Sequence, residues 1–200
     1  MNILSPSNIF LLLACSCAGA AQGAHHYVFF NRERERISDA VFLETKALEG
    51  AQLKYTWREL EPEKGAYDFS AVEHDLRFLK EKGKRLFIQL QDASFDAAII
   101  NVPRYLLKDP RYHGGADKQY DIPGDDEQRA VPAGWVARRW DAAVQEGFHG
   151  LLSALGKEFD ARIEGINLPE TFPNCSTSEP TISGSTTSSG APRNRSTPRD

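Results

Sequence analysis

The sequence predicts an α/β fold in which four β-strands alternate with three helices, in the order β-α-β-α-β-α-β. Three observations carry this. Short runs rich in aromatic and branched residues recur between residues 27 and 168. Between them, apolar residues return at helical spacing. Each helical segment also carries a start or stop signal. Such alternation calls for parallel strands joined by crossover helices. An open doubly wound sheet and a (β/α) barrel both satisfy it. No Gly-rich phosphate loop follows any strand, which counts against a nucleotide-binding open sheet.

The first strand is Tyr27-Val28-Phe29-Phe30, followed by a polar loop from Asn31 to Arg36. Ser38 can cap a helix with Val41, Phe42, Thr45 and Leu48 on one face, ended by Gly50. Leu53, Tyr55 and Trp57 alternate as a second strand, and a loop with turn residues Pro62 and Gly65 runs from Glu59 to Phe69. Ser70-Ala71-Val72-Glu73 has the form of a capping box for a helix lined by Val72, Leu76 and Leu79 and closed by Gly83. Residues 84–91 read as the third strand.

Residues 92–140 read as a long irregular insertion, with Val102-Pro103, Gly114-Gly115, Ile122-Pro123-Gly124 and Val131-Pro132 as breakers. Insertions of this length are usually lids or binding loops. Asp141 then caps a helix whose stripe is Val144, Phe148, Leu151, Leu152, Leu155 and Phe159. The fourth strand, Ile163 to Leu168, leads into Pro169-Glu170.

The two ends differ from this middle. Residues 9–21 form an apolar run too short to span a bilayer, followed by small residues, so residues 1–24 read as a cleaved export signal. The expected location is therefore secreted or periplasmic. Cys15 and Cys17 fall within the signal, which leaves Cys175 without an intramolecular partner. Residues 171–200 are rich in Ser, Thr and Pro with one large aliphatic residue, Ile182. They read as a disordered tail, either a linker or a frameshifted continuation. Residues 25–170 remain to carry the fold.

The net charge of −4 gives no electrostatic support for nucleic-acid binding. No metal or cofactor is expected. Adjacent His25 and His26 would face opposite sides of a strand. Asp121, Asp125 and Asp126 miss the spacing of a calcium loop.

In parallel α/β folds, chemistry gathers at the C-terminal ends of the strands. Here those ends present Asn31, Trp57, Gln91 with Asp92, and Asn167 through Glu170. Aromatic rings, amides and carboxylates suit a sugar: rings stack on pyranose faces, and amides or carboxylates bond hydroxyls. Glu170 is the candidate general acid/base, and the Asn167 amide would bind a hydroxyl beside it.

The segment Trp57-Arg58-Glu59-Leu60-Glu61-Pro62-Glu63-Lys64-Gly65-Ala66-Tyr67-Asp68-Phe69-Ser70 resembles the stretch after strand two in TIM-barrel glycoside hydrolases. It is most similar to the family 42 β-galactosidase-like group. Val102-Pro103-Arg104-Tyr105-Leu106-Leu107 is similar to the loop after strand three in the same enzymes.

The resemblance implies a (β/α)8 barrel of which strands one to four, with their helices, are present. It implies that Glu170, in Asn167-Leu168-Pro169-Glu170, protonates the glycosidic oxygen. The family pattern has Asn and Glu adjacent, so this stretch departs from it by two residues. The nucleophilic carboxylate in these enzymes comes from the end of strand seven. A whole barrel takes about 250 residues.

The expectation is therefore an N-terminal half of an exported glycosidase-like barrel, truncated past strand four. Without the second carboxylate it would be inactive, and its bare barrel edges would favour self-association. The alternative expectation is a non-catalytic carbohydrate-binding or scaffold protein on a barrel-derived fold.

Overall fold

The computed structural model describes residues 24–31, 33–125 and 127–169. The expected signal, apart from its last residue, the expected tail and Glu170 lie outside the described residues. Among the described residues no helix is long and apolar enough to cross a membrane.

The strands are β1 (Tyr27–Phe29), β2 (Gly50–Thr56), β3 (Arg85–Gln91), β4 (Ala93–Ser94), β5 (Ala116–Asp121), β6 (Val131–Ala137) and β7 (Gly165–Asn167). The helices are α1 (Ala40–Glu44), α2 (Trp57–Leu60), α3 (Ser70–Glu81), α4 (Arg104–Lys108) and α5 (Ala142–Phe159). A four-stranded sheet runs β1-β2-β3-β7 with every pair parallel, as the alternation requires. Its order follows the chain with no reversal. The sheet is not closed among the described residues, so the (β/α)8 barrel of which it was expected to form about half is not itself shown.

The burial pattern of β2 and β3 explains how the sheet is supported. Ala51, Leu53, Tyr55, Leu86, Ile88 and Leu90 are buried on one face. There they join Val72 and Leu79 of α3 and Leu151, Leu155 and Phe159 of α5 in one core. Each such aliphatic side chain contributes about 1.5–3 kcal/mol when fully buried. The register aligns the alternate residues of neighbouring strands, so Gln52 with Phe87 and Lys54 with Gln89 and Asn167 share the other face. These are only half-buried, and Phe29 of β1 is 45% exposed. Tyr27 crosses the N-terminal end of this face: its hydroxyl donates to Glu164 Oε2 at 2.7 Å. Burial, then Glu164, push the phenol up to about 12.

Several local expectations change. Ser38 does not cap α1; its hydroxyl donates to the Glu35 carbonyl at the end of a 3-10 turn, and Asp39 precedes the helix. The helix is also short, ending at Glu44, and Val41 is 78% exposed. Gly50 does not close that helix but opens β2, where a Cβ would run into the Arg85 carbonyl.

The capping box at Ser70 is not formed, because Glu73 turns away to Arg162 at 2.8 Å and Asp68 Oδ1 accepts the Ser70 N–H. A capping box forms instead at Thr56 and Glu59, at the start of α2. The expected stop at Gly83 holds, with φ of +66°. Asp141 caps α5 as expected, its Oδ1 accepting from Ala143 N and Val144 N.

The largest correction concerns residues 92–140. They are not irregular: β4, β6 and β5 form a second, antiparallel sheet. Gly134 makes it possible, since a Cβ there would meet the Ser94 carbonyl. The usual strand signal is missing because β5 is polar and β6 contains Pro132 and Gly134.

Candidate functional site

The parallel strands carry Asn31, Trp57, Gln91 with Asp92, and Asn167 to the same end of the sheet. The structure therefore brings these sequence-predicted residues to one end of the sheet, while Glu170 lies outside the described residues. Asn31 adopts φ of +51°, and its side-chain oxygen accepts from Lys54 Nζ at 2.6 Å. Asn167 shares the open face with Lys54 and accepts a long contact from Gln52 Nε2, at 3.4 Å. Gln91 is buried at the end of β3.

Asp92 is 1% exposed and is held by an arginine that sequence reasoning did not single out. Arg139 Nε donates to Asp92 Oδ2 at 2.5 Å, and its terminal nitrogen donates to Oδ1. This bidentate geometry is the strong form of a carboxylate pair. It neutralises the one described carboxylate at the end of β3, so Asp92 is poorly placed to act as a nucleophile. The Arg139 carbonyl accepts from Gln145 Nε2 of α5, which ties the pair to the helix.

Trp57 does not stand free at the strand end. It is fully buried, packs edge-on against Phe148 at 5.0 Å between ring centroids, and donates from Nε1 to Glu61 Oε2 at 2.7 Å. Glu61 is itself buried and accepts the Gly65 N–H through Oε1 at 2.8 Å. Tyr105 and Tyr67 complete the cluster. Burial raises both phenols, and Glu61 raises them further. The Trp57-to-Phe69 motif therefore folds its own loop around one buried carboxylate. The visible sequence signal was the spacing: Trp57, Glu61 and Gly65 are four residues apart in turn.

A cavity of about 340 Å³ opens beside this cluster, walled by Trp57, Asp92, Arg139, Phe148, His149 and Leu168. Its walls are mainly apolar, with the Asp92–Arg139 pair, Gln145 and His149 as polar groups. It can hold an apolar group while offering a few fixed hydrogen-bonding partners. No group of three or more His, Cys, Asp or Glu among the described residues is arranged to hold a metal ion.

No protein-family model matches the chain, and no curated protein does. Among solved structures, the chain is similar to a family 39 glycoside hydrolase from the gut symbiont Bacteroides cellulosilyticus WH2. The TM-score is 0.43 at 14% identity, over 72% of this chain and 24% of that one. The chain thus spans about a quarter of that enzyme's length.

Proposed function

We propose that the chain handles carbohydrate at the C-terminal ends of its parallel strands, as the first four strands of a (β/α)8 glycosidase-like barrel. The observation that supports this most is the sheet order. Four parallel strands follow one another without a switch point, as in a barrel, whereas a doubly wound sheet reverses its order. Asn31, Gln91 and Asn167 then supply amides at the strand ends, and Asp92 is fixed by Arg139. Trp57 supports the wall behind them.

In this reading Glu170 is the general acid/base. A retaining hydrolysis needs a second carboxylate about 5–5.5 Å away. Asp92 is committed to Arg139 and does not fill that role. On this reading the chain binds oligosaccharide without turning it over, and the hydrolysis of O-glycosidic bonds belongs to a barrel carrying both carboxylates. In the same reading residues 1–24 are an export signal and the protein is secreted or periplasmic.

The test is calorimetric titration with a panel of oligosaccharides alongside an aryl-glycoside assay. Saturable binding, weakened about tenfold by Asn167→Ala, with no turnover, is the expected result. Turnover that disappears in Glu170→Gln would overturn the claim of inactivity. Absence of binding across the panel would overturn the carbohydrate reading.

A further inference from the structure

Both edges of the parallel sheet are unpaired among the described residues: β1 has only β2 as a neighbour, and β7 only β3. The hydrogen bonds show which groups this leaves. The His26 carbonyl and the Phe30 N–H are used by β2, so in a parallel ladder the N–H and carbonyl of Tyr27 and Phe29 point outward. On the other edge Glu164 N–H is used by β3, which turns Gly165 and Asn167 outward. The two edges are complementary, because β1 and β7 run in the same direction.

The open face points the same way. Parallel sheets are covered on both faces as a rule, yet Phe29, Gln52, Lys54, Phe87, Gln89 and Asn167 remain only partly buried. At their centre, Gln89 Oε1 is buried without a hydrogen-bond partner among the described residues. An acceptor left this way costs about 1–3 kcal/mol. Eight strands is the number at which a closed sheet is just filled by its own side chains.

We propose that two copies of this chain pair edge to edge, β1 of each lying parallel to β7 of its partner around a two-fold axis. The pairing closes an eight-stranded barrel whose interior is the open face described above. Such a contact satisfies both edges at once and leaves none bare. It rests on the sheet alone and does not depend on the carbohydrate reading.

The experiment is sedimentation velocity of the full 200-residue chain across a concentration series, without sugar. A dimer is expected at micromolar concentration. Phe29→Pro removes an outward N–H while leaving the bonds to β2 in place, and should shift the population to monomer with an unchanged circular dichroism spectrum. Phe29→Lys keeps the backbone donor but places a charge in the barrel interior, and should also give monomer should the proline variant not fold. A monomeric wild type at every concentration overturns the proposal. A dimer indifferent to both substitutions, or oligomers that grow without a dimer plateau, overturns it as well.

Discussion

Trp57 is placed by a carboxylate, and that carboxylate by a loop. Buried Glu61 accepts from the Trp57 indole inside the core and from the Gly65 backbone at its rim. Removing the acceptor orphans the buried Trp57 indole N–H, at a cost of about 1–3 kcal/mol, while the N–H of exposed Gly65 can turn to water. Glu61→Ala should therefore lower stability by about 1–3 kcal/mol in urea titration, while Glu61→Gln keeps one oxygen acceptor and should cost clearly less. Equal losses for the two variants would show that side-chain volume, not hydrogen bonding, holds the loop. The same geometry explains why Trp57 reads as a ligand contact in the sequence. A tryptophan after a strand looks exposed until Phe148 and Gly147 of α5 are seen to pack against it.

Helix α5 shows how one element can be fully legible in its pattern and still hide its contacts. Its apolar stripe and Asp141 cap stand in the sequence, but its glycines do not announce their roles. A Cβ at Gly147 would lie 3.3 Å from the Trp57 ring, whereas at Gly156 nothing lies within 4 Å. Gly156→Ala should stabilise the protein by about 0.5–1 kcal/mol through helix propensity. Gly147→Ala should gain less or lose, because the indole it meets is fixed by Glu61. Thermal melting of the two variants decides this, and an equal gain would mean that Trp57 yields.

At the start of the same helix, His113 Nδ1 lies 2.6 Å from Asp141 Oδ2. The hydrogen bond from His113, followed by the backbone N–H of Val144, holds the Asp141 carboxyl below its ordinary value. A depressed carboxylate contributes stability that is full above its unfolded pKa, about 4, and is lost as pH falls through the folded value. Asp141→Asn keeps a capping oxygen but loses the charge. Melting curves from pH 7 to pH 3 should show the wild type ahead near neutrality and the two converging at the acid end. A gap that persists undiminished at pH 3 would assign it to something other than ionisation.

For the whole molecule, the sheet is the deciding feature. Its covered face holds the apolar residues of β2 and β3 against α3 and α5, and among the described residues the other face is left half-open. Leu53, Tyr55, Leu86 and Ile88 were legible as strand residues because an alternating pattern is what a one-sided sheet demands. The antiparallel sheet within 92–140 was not legible. Its polar strand β5 and glycine-containing β6 are held by pairing to each other, a contact that no local window contains.

The candidate site divides in the same way. Asn31, Gln91, Asp92 and Asn167 follow from the rule that parallel strands carry chemistry at one end. Arg139 lies 47 residues from Asp92 in the chain and becomes its partner only through β6.

By itself, then, the sequence determined the alternation of strands and helices, the core stripe of α3 and α5 and the polar strand ends. Those depend on local spacing and residue chemistry. Tertiary structure alone decided that Trp57 is packed rather than presented, that Asp92 is paired with Arg139, and that one face of the sheet stays half-open among the described residues. These depend on contacts between distant segments, and no periodicity records which distant segment arrives.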